Sequence, residues 1–209
     1  MPQTLSFTSS LHSTGGDAPT GRYDASLEDP DEGLFALVSA KGMPAEAELA
    51  ARSVREILRR SLMGQTVPLG ERVLIAEEAL ESIAWVLRED AEAKRTSPVA
   101  LAYVVALVAD GWLAAVALGE ATLHVVRSGS LYRLVGRDAL TDEATTATKR
   151  VVRLLPGDRL LLSSAALARH LDEPTLAHEI RAFGEDWARR LVARHAGADP
   201  INAIEIGCI

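Results

Sequence analysis

Residues 98–119 read PVALAYVVALVADGWLAAVALG and contain a single charged side chain, Asp110. A run of this length and polarity could span a lipid bilayer, but Asp110 and Gly111 interrupt it at its middle. Asp-Gly is among the strongest signals for a two-residue hairpin turn, and the flanks are rich in valine and alanine, as in strands buried on both faces. We therefore predict a β-hairpin with strands over 99–108 and 112–118, and no membrane association.

The composition favours one globular domain over residues 1–209. Of the 209 residues, 48% are hydrophobic and 4% aromatic, so aliphatic side chains must form most of the core. Asp and Glu outnumber Lys and Arg by 29 to 22, which gives a net charge of -7. Since a phosphate backbone repels such a chain, we expect no nucleic-acid partner. A single cysteine, Cys208, and no secretory leader pattern at the N-terminus favour a cytoplasmic location.

Turn residues and hydrophobic periodicity predict an ordered series of strands and helices. The predicted strands are 5–12, 22–28, 34–40, 99–108, 112–118, 121–127, 131–135, 151–155, 159–163 and 201–206. Two long helices follow the third strand, and three shorter ones occupy 165–171, 173–182 and 185–195. Because Pro156-Gly157 suits a type II turn, we predict that 151–155 and 159–163 form a hairpin. Long amphipathic helices need an apolar sheet face to cover, so a sandwich of two sheets with helices outside is expected.

Short motifs in a fixed order carry a resemblance to a known family. They are YDA at 23–25 before GLFALV at 33–38, SAKGMP at 39–44, ALGE at 117–120, RSGSL at 127–131, LPGDRLLL at 155–162 before SAAL at 164–167, and GADPI at 197–201. In this order they resemble motifs of the metal-dependent serine/threonine phosphatases of the PP2C (PPM) type. The resemblance implies an α+β, four-layer αββα sandwich, in which two mainly antiparallel sheets are flanked by antiparallel helix pairs.

The resemblance also implies two Mg²⁺ or Mn²⁺ ions, held by carboxylates, and a metal-bound water that attacks phosphorus. Asp24 and Asp199 match two ligand positions, but Lys41 and Ala165 stand where the family has aspartate. Hard cations need several oxygen ligands, mostly charged ones. An ammonium in place of a carboxylate changes the local charge by about two units. At about 4 Å and an effective dielectric constant near 20, one pair of unit charges interacts by roughly 4 kcal/mol, and a dication with Lys41 by roughly twice that. We therefore expect no cofactor, with Mg or Mn only in a residually active site.

Other positions complete the candidate site. Arg22, Lys41, Gly42 and Glu120 are candidates for lining the pocket or for binding phosphate. We hypothesise that the Lys41 ammonium takes the place of the lost cations and pairs with Asp24, Asp199 or both. Ser163 and Ser164 are interpreted as a helix cap.

The family usually carries an acidic helical insertion, the flap, between the positions that match Leu140 and Arg150. In this chain residues 141–151 bridge the same gap. We therefore expect the flap subdomain to be largely missing.

These departures predict a catalytically impaired domain, a pseudophosphatase that acts as a protein-binding or regulatory module. Its expected partner is a phosphoprotein, a kinase or a regulatory complex. One alternative is a weak Mg/Mn-dependent phosphatase that uses Asp24 and Asp199 with Glu120 or Glu28 as substitute ligands. A second alternative is a phosphate or small-molecule sensor built around Lys41 and Arg22.

Overall fold

The computed structural model describes residues 7–14, 22–136, 147–170, 173–183, 186–195 and 201–209. The strands among these residues are β1 (Phe7–Thr14), β2 (Arg22–Asp29), β3 (Leu34–Lys41), β4 (Ala100–Ala109), β5 (Trp112–Leu118), β6 (Thr122–Arg127), β7 (Ser130–Val135), β8 (Thr148–Arg153), β9 (Arg159–Ser163) and β10 (Ile201–Cys208). The helices are α1 (Pro44–Leu62), α2 (Leu69–Lys94), α3 (Ala165–His170), α4 (Glu173–Phe183) and α5 (Trp187–Arg194).

The strands form two five-stranded sheets. Sheet I has the order β2-β3-β4-β5-β8, and sheet II has the order β1-β10-β9-β6-β7. All strand pairs in both sheets are antiparallel. The two sheets pack face to face through aliphatic side chains such as Val104 and Ala115 of sheet I and Leu160 and Ile204 of sheet II.

Helices cover the outer face of each sheet. The apolar stripes of α1 and α2 pack on sheet I through residues such as Val54 and Leu80. On the other side, Leu176 of α4 and Trp187 and Leu191 of α5 pack on sheet II. The order of layers is therefore helices, sheet I, sheet II and helices, which confirms the predicted αββα sandwich.

The central hairpin forms as predicted. Asp110 and Gly111 both have positive φ angles, 52° and 75°, as a type I′ turn requires. The hairpin closes between Ala109 and Trp112, and most of its strand residues are buried. No helix in the described ranges is both long enough and apolar enough to cross a membrane.

The predicted hairpin over 151–155 and 159–163 is wrong. A turn does form, since the backbone N–H of Asp158 donates to the carbonyl of Leu155 at 3.0 Å. However, β8 pairs with β5 in sheet I, while β9 lies between β10 and β6 in sheet II. The reason is the difference in polarity between the strands. TKRVVR in β8 tolerates an exposed edge, whereas RLLLS in β9 needs a buried central position.

The connection from β8 to β9 crosses from sheet I to sheet II, and the buried carboxylate of Asp158 stabilises this crossing. Asp158 accepts hydrogen bonds from Arg127 Nε at 2.9 Å, from Arg127 Nη2 at 2.6 Å and from the Leu155 backbone N–H at 2.8 Å. The neighbouring Gly157 N–H donates to the carbonyl of Cys208 at 2.8 Å, and the Cys208 N–H donates to the carbonyl of Asp158 at 2.9 Å. The crossing is thereby tied to strands of sheet II on two sides.

Candidate functional site

A cleft of about 410 Å³ opens where the two sheets separate at one end of the sandwich. Its walls come from the start of β2, the end of β3, the start of β4, the β5–β6 turn and α3. The lining residues with polar side chains are Arg22, Asp24, Ser39, Lys41, Glu120 and Arg169. The structure therefore brings together Arg22, Asp24, Lys41, Glu120 and Ala165 of the sequence-derived candidates. Asp199 lies outside the described residues.

Asp24 lies at the floor of the cleft and is surrounded by neutral hydrogen-bond donors. Asn202 Nδ2 donates to Asp24 Oδ2 at 3.0 Å, and the side chains of Ser39 and Ser164 also hydrogen-bond to this carboxyl group. Burial raises the pKa of Asp24 above its ordinary value, and this outweighs the hydrogen bonds and the positive charge of Arg22, which act in the opposite direction. The carboxyl group of Asp24 is thus fixed by hydrogen bonds and partly desolvated, and its oxygens are not freely available to a metal ion.

The residues that hold Asp24 also connect the two sheets. The backbone N–H of Ala165 donates to Ser39 Oγ at 3.3 Å, and the backbone N–H of Asn202 donates to Ser164 Oγ at 3.2 Å. The Ser164 N–H in turn donates to the carbonyl of Asn202 at 2.9 Å. Ser164, interpreted from sequence as a helix cap, therefore directs its hydroxyl to Asn202 and Asp24.

Ser39 and Asn202 were not among the sequence-derived candidates. Ser39 is the register partner of Asp24 in the β2–β3 pair. Its role becomes recognisable once the predicted strands 22–28 and 34–40 are paired. Asn202 lies one residue beyond the last motif, and nothing local in the sequence marks it.

Two positive side chains lie at the mouth of the cleft. Arg22 and Lys41 are direct register partners in the β2–β3 ladder. Lys41 is exposed and makes no ion pair with any other residue in the described part of the chain. The hypothesised ion pair between Lys41 and Asp24 is therefore wrong, while the alternative pair with Asp199 lies outside the described residues. The positive charge that acts on Asp24 belongs to Arg22.

Glu120 is engaged by a cation of α3. Its carboxylate lies 2.5 Å from Arg169 Nε, which also donates to the carbonyl of Ala165 at 3.2 Å. Glu28 lies four residues along β2 from Asp24, or about 13 Å at the rise of an extended strand. Glu120 is thus already paired, and Glu28 is too far away to share an ion with Asp24.

Gly42 is exposed and lies outside the cleft lining, contrary to its prediction as a pocket residue. A Cβ atom at Gly42 would lie 3.2 Å from Cγ2 of Val99. Its small size therefore matters for packing against Val99 rather than for contact with a ligand.

The described residues do not fit a binuclear metal centre. No three His, Cys, Asp or Glu side chains come together as a possible metal site within the described ranges. In the cleft, Asp24 is already hydrogen-bonded by three side chains, Glu120 is paired, and Lys41 and Ala165 supply no anionic oxygen. Two dications need several such oxygens, and the positive charges of Arg22 and Lys41 oppose their binding.

No protein-family model matches the sequence, and no curated protein matches it significantly. Several solved structures are similar to this structure over nearly its whole length. PppA, a key regulatory component of the T6SS in Pseudomonas aeruginosa, has a TM-score of 0.80 at 19% identity, covering 98% of each chain. The Mycobacterium tuberculosis serine/threonine phosphatase PstP/Ppp has a TM-score of 0.80 at 18% identity, covering 98% of this chain and 99% of that one. The catalytic domain of PstP with two manganese ions has a TM-score of 0.79 at 17% identity, covering 99% and 100%.

These similarities show that the chain has the fold of the PP2C (PPM-type) serine/threonine phosphatases. Because this chain and PppA cover 98% of each other, the comparison gives no support to a largely missing flap subdomain. Residues 148–151 belong to β8. From the sequence they had been assigned to the segment that replaces the flap.

Proposed function

We propose that the chain is a pseudophosphatase, a protein-binding or regulatory module with the phosphatase fold that does not hydrolyse phosphate esters. The observation that carries this proposal is the hydrogen bonding of Asp24. Asn202, Ser39 and Ser164 already use its oxygens, and a carboxylate has only about four lone-pair positions to offer. A metal ion would have to displace these donors and also withstand the charge of Lys41.

The proposed partner is a protein, namely a phosphoprotein, a kinase or a regulatory complex, and the proposed location is the cytoplasm. The structural similarity to PppA, which is a key regulatory component of a secretion system, supports a regulatory function. A chain with one cysteine suits a reducing compartment.

Hydrolysis of para-nitrophenyl phosphate with excess Mn²⁺ or Mg²⁺ tests the proposal. We expect the wild-type rate to equal that of Asp24→Asn, because neither protein assembles a metal centre. Turnover that requires Mn²⁺ and is lost in Asp24→Asn would instead establish the weak Mg/Mn-dependent phosphatase and overturn the proposal.

Restoring the missing carboxylates provides the matched control. The double variant Lys41→Asp with Ala165→Asp replaces a cation and a methyl group by two anionic oxygen ligands. Isothermal titration calorimetry should detect Mn²⁺ binding to this variant and none to the wild type. Equal Mn²⁺ affinity of the two proteins would contradict the role that we assign to Lys41.

A phosphate or small-molecule sensor is the second candidate function, and the Arg22–Lys41 register pair favours it. A dianion between two cations would relieve their mutual repulsion and form charge-assisted hydrogen bonds. In EDTA, inorganic phosphate should raise the melting temperature of the wild type by mass action and have no effect on Lys41→Met. Equal stabilisation of both proteins would exclude the sensor reading.

A further inference from the structure

The outer helical layer of sheet I contains an apolar groove that is separate from the cleft. It runs between α1 and α2 and has a volume of about 540 Å³. The cleft opens between the two sheets, whereas this groove opens on the opposite face of sheet I. Nothing in the proposed function of the cleft uses it.

The groove exists because the two helices face each other with small side chains. The small residues that line it are Ala50, Ser53 and Ser61 of α1 and Ala79, Ser82 and Ala91 of α2. Larger aliphatic side chains stand along its sides and are exposed, with Leu49 at 68%, Val86 at 55% and Ile57 at 37%. Exposed apolar surface concentrated in one concave site is typical of an interaction surface.

The dimensions suit a helix. The lining residues of α1 extend from Glu46 to Ser61, which corresponds to about 22 Å along the helix axis. An amphipathic helix of about four turns has the same length, and its apolar face binds such grooves through side chains at i, i+3 or i+4, and i+7. The volume also lies in the range of about 300–1,000 Å³ that is usual for binding sites.

The charged side chains that line one end of the groove, Glu46, Asp90 and Lys94, sum to one net negative charge. Asp90 and Lys94 form an ion pair at 2.6 Å across one turn of α2. Glu46 also lines this end and adds to the field that raises the pKa of Lys94, behind the larger contribution of Asp90. Glu46 makes no ion pair of its own with the residues that the structure describes. A lysine or arginine of a ligand would complement it.

We propose that the groove between α1 and α2 docks an amphipathic helix of a protein partner. Three or four aliphatic side chains of that helix lie between Leu49, Ile57 and Val86, and a lysine or arginine at its end pairs with Glu46. This docking does not depend on whether the cleft hydrolyses phosphate esters, and it gives the module a partner surface away from the cleft.

Fluorescence anisotropy with two labelled peptides of about 16 residues tests the inference on the full chain. Both peptides carry leucines at helical i, i+4, i+7 and i+11 spacing, and one ends in lysines where the other ends in glutamates. The lysine peptide should bind the wild type more tightly, by up to about fivefold, which is the most that one exposed ion pair contributes. Glu46→Gln should remove this preference while leaving the shared apolar binding.

Leu49→Glu and Val86→Glu should each abolish binding, because a carboxylate in the groove must be desolvated against the leucines. Leu74→Glu is the matched control, since Leu74 is 57% exposed on α2 and lies outside the groove lining. It adds the same negative charge to α2, the helix that carries Val86, and should leave binding unchanged. All three sites are exposed, and circular dichroism verifies that the variants fold.

Absence of binding by both peptides would overturn the inference. An equal loss of affinity in Leu74→Glu would overturn it as well, because the interaction would then be a general surface effect. Phosphatase activity has no bearing on any of these outcomes, so failure of the docking inference and failure of the proposed function remain distinguishable.

Discussion

Arg22 and Lys41 lie directly opposite each other in the antiparallel β2–β3 pair, and both side chains line the same cleft. Directly opposed like charges destabilise a β-ladder. A like-charged pair at this position therefore contributes less to folding than a pair with one neutral member would.

Lys41→Met should raise the free energy of unfolding by about 0.5 kcal/mol, because it removes the repulsion across the ladder. Urea denaturation at low ionic strength measures the gain, and about 1 M salt should remove most of it by screening. Lys149→Met is the control, since Lys149 pairs with Glu77 at 2.7 Å and its removal should give no gain. A destabilised Lys41→Met protein would show that Lys41 supports the fold.

Asp24→Asn should make the protein more stable relative to the wild type as the pH rises. Burial raises the folded-state pKa of Asp24 above its ordinary value of 3.8, so the folded state binds this proton more tightly than the unfolded state. The resulting stabilisation is complete below pH 3.8 and is lost as the pH increases through the folded-state pKa. Urea unfolding of both proteins across this range measures the difference, and a difference that does not change with pH would contradict the assignment.

Asp158→Ala should cost about 3 kcal/mol, because it leaves Arg127 without its carboxylate partner and removes an acceptor from the crossing between the sheets. Asp158 is 1% exposed. Arg189→Ala breaks the exposed 3.3 Å pair with Asp186 and should cost less than about 0.5 kcal/mol. Similar losses of unfolding free energy in the two variants would argue against a special role for Asp158.

Gly119→Ala should destabilise the protein by about 2–4 kcal/mol and shift Glu120 at the edge of the cleft. Gly119 has φ +69°, and an added Cβ would lie 2.9 Å from Cβ of Ala102, so conformational strain and overpacking add together. Gly129 has φ +75° with no atom within 4 Å of an added Cβ, and Gly129→Ala should cost only about 1 kcal/mol. Equal decreases in melting temperature in the two variants would contradict the contribution that we assign to overpacking against Ala102.

Features with local causes were predictable from the sequence. The central hairpin follows from the chemistry of Asp110 and Gly111, and the helix pair follows from apolar periodicity. The crossing at 154–158 was not predictable from its turn residues, because the same turn can join strands of one sheet or of two. The difference in polarity between β8 and β9 is consistent with their positions in different sheets. It could be interpreted only after the strands that pair with each of them were known.

The candidate site was predictable only in part for the same reason. A motif identified Asp24, yet its hydrogen-bond donors come from β3, from the residue before α3 and from β10. Asn202 lies 178 residues from Asp24 in the chain, and no local sequence pattern indicates that its side chain is a hydrogen-bond partner of Asp24. For Lys41 the position in the cleft was predicted correctly from the sequence. The exposure of its side chain was not predicted, because it depends on the geometry at the end of the strand.

The position of β10 in the chain also sets the order in which the two sheets can form during translation. All strands of sheet I and both of its helices lie before residue 154, whereas sheet II receives its second strand, between β1 and β9, from Ile201–Cys208. As the nascent chain leaves the ribosome, the sheet I half can acquire its pairing while β1 and β9 still lack the strand that joins them. The hydrogen bond from Asn202 to Asp24 therefore forms only after β10 has been synthesised, later than the strand pairing within sheet I.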